Sequence, residues 1–290
     1  MNLKSPGEKA VDAVLYAVIG TVLLMVLYPF VHVLSVSFSD RGEALRYGFH
    51  FFPRSFSLEA YEQVFQARNI WVGYENTLFR MIVGTAASLL VTILAAYPLS
   101  RPYFPYKRAF TLVILFTMLF DGGIIPTYLL LRDLELINTR GVYVVLHMAS
   151  AFHVLVMMSF FRTIPKELEE SARIDGAGEM RTLLQIMLPL TVPVLVTLTL
   201  WNLVMHMNQF SDNLLYVTDR GKFVLQYVLQ EILIQDRQDS FASLTQTQEP
   251  PAPESLKMAS IMVAITPLLV IYPFLLKYFE KGTMVGSVKG

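Results

Sequence analysis

Apolar residues in this 290-residue chain arrive in long blocks separated by shorter polar stretches. Six blocks stand out: Ala13 to Val36, Leu78 to Leu99, Phe110 to Leu131, Val142 to Phe161, Leu188 to Phe210 and Met258 to Phe279. A helix needs about 20 mostly apolar residues to cross a hydrocarbon core roughly 30 Å thick, and every block is of that length. The pattern predicts an all-α integral membrane protein of six transmembrane helices, whose even number returns both termini to one side. The first block follows Lys4 and Lys9 but is too long for a secretory leader and lacks a small-residue cleavage site. It reads as a retained helix.

The polar stretches have their own patterns. Residues 37–72 mix aromatics and charges, and SLEAYEQVF from Ser57 predicts a short amphipathic helix on the membrane surface. Residues 211–257 end in QTQEPPAPES, where Pro250, Pro251 and Pro253 favour an extended backbone. Between the fourth and fifth blocks, residues 162–189 are charged and punctuated by glycine. Pro165 suits a first helical turn, KELEESARID then sets Leu168, Ala172 and Asp175 along one face, and Gly176 can end the helix with positive φ. A second helix, from about Ala177 to Leu188, carries Leu183, Leu184, Ile186 and Met187 up to Pro189. The expected product is a rigid elbow continuous with the fifth span, able to turn movement of a docked partner into tilt of that span. The plainer reading is a connector resting on lipid headgroups.

Composition narrows the function classes. Hydrophobic residues make up 54% of the chain, above the usual share for a soluble domain. A net charge of zero argues against a nucleic-acid partner. The lack of cysteine removes disulfides, thiolate metal sites and cysteine nucleophiles together. The 23 Lys and Arg are not sharply partitioned. The short turn with Arg101, Lys107 and Arg108 and the tail with Lys277, Lys281 and Lys289 still favour an inside location for both. Neither an internal repeat nor a second soluble domain is visible, so residues 1–290 read as one transmembrane domain.

Ionisable and polar residues inside the spans are the candidates for function. Asp121 sits in the middle of the third block, where a charge costs on the order of 2.5 to 3.5 kcal/mol, and Gly122, Gly123 and Pro126 follow it. It either lines a passage or serves a structural hydrogen bond at a helix break. The fifth block ends in a polar stripe, with Asn202, His206 and Gln209 on one face and Trp201, Met205 and Asn208 on the adjacent one. Amides beside aromatics suit a sugar, whose hydroxyls need paired donors and acceptors and whose C–H face needs stacking. Helix–helix hydrogen bonding is the plainer account. Arg80, near the outer end of the second span, is a pointer to an acidic substrate. Gly84 with Ser88, and Ala87 with Val91, fit close helix packing. No catalytic or metal site is assigned: His147 and His153 are six apart and face different ways, and Glu167, Glu169 and Glu170 have no neighbouring pocket in view. No GxxxxGK[ST] phosphate loop is present.

The stretch ESARIDGAGEMRTLLQIMLP, from Glu170 to Pro189, resembles the cytoplasmic EAA loop of permease subunits in binding-protein-dependent ABC importers. ENTLFRMIVGTAASLLVTILAAYPLSR from Glu75 is similar to the second helix that opens the shared core of these permeases. FDGGIIPTYLLLRDLELINT from Phe120 resembles a segment of their MalG-like carbohydrate branch. ESLKMASIMVAITPLLVIYPFLLKYFEKGTMVGSVKG from Glu254 resembles the LplC/YtcP oligosaccharide branch within it. Ser171 stands where the loop's name implies Ala, and Met207 and Phe210 stand where Trp is usual.

The resemblance implies the type I importer (MetI-like) permease fold with core 75–279 and extracytoplasmic loops 37–72 and 211–257. It implies a coupling loop 162–189 in which Glu170, Ser171, Ala172, Asp175, Gly176, Ala177, Ile186, Leu188 and Pro189 meet an ATPase. It further implies a second, non-identical permease, two ATPase subunits carrying ATP and Mg, an extracytoplasmic sugar-binding protein and an oligosaccharide substrate. This chain would bind no cofactor, and the setting would be the cytoplasmic membrane of a prokaryote with both termini cytoplasmic. The alternatives are a membrane-embedded enzyme using Asp121 and His206 as acid and base, and a passive channel.

Overall fold

A computed structural model describes residues 6–44, 51–234 and 253–287. Pro250, Pro251, Lys4 and Lys289 lie outside the described residues. The described chain is helical, with one isolated antiparallel bridge between Ser39 and Phe56. It divides into two compact units, residues 1–70 with 229–266, and residues 71–228 with 267–290.

In the first unit, helix α1 (Pro6–Ser37) carries the first predicted span. Its apolar side chains from Val11 to Leu34 are almost all exposed in the single chain, and a helix apolar on every side suits hydrocarbon. After it, the short α2 (Arg41–Ala44) supplies Glu43, whose buried carboxylate accepts hydrogen bonds from the backbone N–H groups of Arg54 and Ser55. Phe38 stacks on Phe56 and Tyr61, with centroids 5.2 and 4.8 Å away. The predicted amphipathic segment is α3 (Glu59–Gln66), whose Ala60, Gln63 and Val64 are buried against protein.

The second unit is built around helix α5. The second predicted span lies in one unbroken helix, Arg68–Ser100, made of α4 (Arg68–Phe79), a π-helical turn at Arg80–Gly84 and α5 (Thr85–Ser100). The sixth lies within Pro253–Ser287, the last helix. The other three predicted spans are broken, which apolar length could not reveal. The third becomes α6 (Lys107–Leu119) and α7 (Ile124–Asp133), bent by 113°. The fourth becomes the single turn α8 (Val142–Val145) and α9 (Ala151–Phe161), restarted where Ser150 caps His153 N–H. The fifth begins after Thr191, where Glu179–Leu190 and Val192–Asn208 meet at 80°.

Ala96, Tyr97 and Leu99 of α5 pack with Val154, Met157, Met158 and Phe161 of α9 and with Leu183, Met187, Val194 and Leu198 further along the chain. Lipid tails are as apolar as these side chains, so close packing rather than exclusion from water holds the core together.

Candidate functional site

The elbow predicted at 162–189 is present in the second unit. Pro165 precedes α10 (Lys166–Ile174), one position earlier than a first-turn residue. Gly176 adopts φ +76°. Its N–H bonds to Arg173 O at 3.0 Å while Ala177 N–H bonds to Ala172 O at 2.9 Å, the paired bonds of a Schellman end. The next helix starts at Glu179 rather than at Ala177: α11 (Glu179–Thr182) runs through a π-helical turn, Leu183–Met187, into α12 (Leu188–Leu190). After the bend comes α13 (Val192–Asn208), with Pro193 in its first turn. Leu168 is 41% exposed, so the inward face of α10 is set by Glu169 and Ala172 rather than by Leu168, Ala172 and Asp175.

The residues that the resemblance assigns to ATPase coupling sort by exposure. Glu170, Ser171, Asp175, Gly176 and Pro189 are exposed, Ala177, Ile186 and Leu188 are half-buried, and Ala172 is buried. Beside them Ile174, absent from the sequence reading, is 87% exposed at the tip.

A polar network that periodicity did not reveal fastens both limbs of the elbow to the end of α5. Buried Arg101 forms an ion pair with Glu169. The Tyr103 hydroxyl donates to Glu169 at 3.0 Å and to Glu179 at 3.1 Å, and the Tyr97 hydroxyl donates to Glu179 at 2.9 Å. Arg173 reaches Glu179 at 2.7 Å. Arg101 lies over the Tyr97 ring and Arg173 over that of Tyr103, 4.4 and 4.6 Å from the centroids. Partial burial pushes the Glu179 carboxyl up, but hydrogen bonds from Tyr97 and Tyr103 and the charge of Arg173 outweigh it and hold the group below its ordinary value. Burial, then the hydrogen bond to Glu169, pushes the Tyr103 hydroxyl up to about 12. The run YPLSRPY at the end of the second block was the available signal.

The passage candidates divide. Asp121 is exposed, and its Oδ1 accepts Gly123 N–H at 2.6 Å where the backbone turns through φ +86°. Trp201 is 41% exposed beside Phe152, Asn208 is exposed and Met205 is half-buried. Asn202 and His206 are corrections to an open polar stripe, because both are buried inside their own subunit. Asn202 Nδ2 donates to Leu198 O at 2.9 Å. His206 has no exposed surface and lies edge-on to His147, closed in against Gly84. Gln209 spends its amide on Ser211 and Asp212. The acid and base pair of Asp121 with His206 is not formed, since the carboxylate faces outward and the ring inward.

Arg80 is a second correction. It is fully buried, donates to Asp212 at 2.9 Å and to Gln209 O at 2.8 Å, and lies over the Tyr143 ring. Asp212 is also 2.8 Å from His147 Nε2. A cation spent inside the subunit points to no acidic substrate. Among the described residues, no group of three or more His, Cys, Asp or Glu is placed to hold a metal.

Broken apolar helices around a packed core, with an exposed helical elbow leading into one of them, define a membrane permease subunit. The chain belongs to the family described as binding-protein-dependent transport system inner membrane component, which matches residues 70–285. It is 35% identical over 280 residues to the polygalacturonan/rhamnogalacturonan transport system permease protein YtcP of Bacillus subtilis strain 168, covering 96% of this chain and 98% of that one. It is 36% identical to Protein LplC of the same strain, over 94% and 92% of the two chains. A crystal structure of a bacterial ABC transporter involved in the import of the acidic polysaccharide alginate contains a chain that superimposes with a TM-score of 0.91 at 28% identity, covering 96% of this chain and all of that one.

Proposed function

We propose that this chain is one permease subunit of an ATP-driven oligosaccharide importer and that it receives its stroke through the elbow at 162–189. The observation that carries the reading is the elbow's construction. It has a glycine-terminated helix with Ile174 at its tip, a network fastening both limbs to α5, and a direct continuation into α13. ATP and Mg would act on two docked ATPase subunits, and a non-identical second permease would complete the passage. An extracytoplasmic binding protein would deliver the sugar, with both termini of this chain cytoplasmic. The expected substrates are oligosaccharides cut from uronic-acid polymers, a class suggested by the names of YtcP and of the alginate importer. Trp201 and Asn208 are the side chains offered to it.

The test is Gly176→Pro in the assembled complex. Proline fixes φ near −65° where +76° is needed, so the complex should assemble while sugar-stimulated ATP turnover and uptake fall by about tenfold or more. Unchanged turnover in an intact complex would refute coupling through this turn. Uptake of a neutral oligosaccharide in preference to an oligogalacturonate would refute the substrate class. Uptake without ATP would instead identify a passive channel.

A further inference from the structure

A groove of about 770 Å³ opens beside the elbow, between the start of α6, the end of α9 and α10. Basic residues dominate its lining, six against two carboxylates. One of those carboxylates, Glu169, is already paired with Arg101 and with Arg173. Lys107, Arg108, Arg162 and Lys166 therefore bring more positive charge than the groove neutralises. Burial, then the nearby charges of Arg162 and Arg101, lowers the basicity of Lys107. Its ammonium is occupied by two carbonyls, Ser100 O at 3.3 Å and Arg101 O at 3.2 Å, and faces the other cations.

A second observation points to a ligand. The Arg101 side chain is only 8% exposed. It pairs with Glu169 through Nη1, while its buried Nε and Nη2 have no hydrogen-bond partner. Buried guanidinium donors are costly to leave unmade, and a fork of adjacent N–H groups fits a phosphate. The wall of the groove changes character along α6, where Leu112 lies on the same lining as Lys107 and Arg108. On the same face of α6, one turn on, the exposed Phe116 continues that apolar wall outward. Cations at one level with an apolar wall rising from them is the profile of a phospholipid, headgroup below and acyl chain above.

We propose that this groove binds the phosphate of an anionic phospholipid, with the Arg101 guanidinium charge at its inner wall, Arg108 and Arg162 at the mouth and Leu112 against the acyl chain. The site needs no ATP-driven movement of the elbow, so it can fail or stand independently of the transport reading.

The assembled complex, exchanged into mixed micelles holding equal phosphatidylglycerol and phosphatidylcholine, is examined by native mass spectrometry. Phosphatidylglycerol should be retained over phosphatidylcholine, and Arg108→Gln with Arg162→Gln should lower its retention by about tenfold or more. Arg132→Gln, a charge outside the groove, should leave retention unchanged. Equal retention of the two lipids would overturn the proposal, as would wild-type retention by a double variant that melts like wild type in phosphatidylcholine. Displacement by millimolar inorganic phosphate would make the groove a free-anion site. Loss of lipid whenever the ATPase subunits are bound would make it part of their interface, and either result ends the lipid reading.

Discussion

Two arginine-centred clusters sit in the same unit of this protein and behave as opposites. Arg80 and Asp212 are both sealed, with side chains 0% and 6% exposed, and their neighbours Tyr143 and Asn213 are buried too. Arg101 and Glu169 are nearly as deep, at 8% and 10%, yet Glu169 shares its network with Arg173, Tyr103 and Glu179, which face solvent. The first cluster joins helices into one body. The second joins a body to a part that faces solvent.

The comparison can be broken first at the sealed cluster. Asp212→Ala leaves Arg80 buried without its countercharge and should cost about 3 to 5 kcal/mol, read as a large fall in the unfolding midpoint in detergent. A variant that melts like wild type would show that Arg80 is not held by that pair. A smaller effect is expected next to it at Gly84, where an added Cβ would stand 2.5 Å from His206 Nε2. Gly84→Ala should cost about 1 to 3 kcal/mol, and His206→Ala in the same chain should recover part of it. Purely additive losses would deny the contact.

The smallest expected effect belongs to the open cluster. The folded value of Glu179 is lowered, so its contribution is present above the unfolded value and is lost as pH falls through the folded one. Glu179→Gln should therefore be less stable than wild type at neutral pH, by about 1 kcal/mol or less because the site is partly screened. The gap in melting midpoint should close below the ordinary carboxyl value of 4.5. A gap that persists in acid would assign the loss to shape rather than charge.

Much of this architecture was legible, for reasons that also explain the failures. Long apolar blocks predicted α1 and the helix Arg68–Ser100, and Gly176 marked its own turn, because length and backbone freedom are local properties. Gly122, Gly123 and Pro126 signalled a loosened third span, though not a 113° bend. The spacing of Asn202 and His206 put them on one face correctly. Which way that face looked depended on Gly84, more than a hundred residues earlier, and no periodicity carries that information. The Arg101 network was missed for the same reason, since its members come from three segments and meet only in the folded chain.

The 80° corner at Thr191 makes the elbow's second limb and α13 the two arms of a bell crank. At 1.5 Å per residue the arms are roughly 18 and 26 Å long. Turning rigidly about the corner, each ångström of travel at Glu179 becomes about 1.4 Å at the Asn208 end. A modest displacement of the elbow's second limb would then arrive, magnified, only at the far end of α13, by Asn208, and would be reduced at Trp201, which lies closer to the corner.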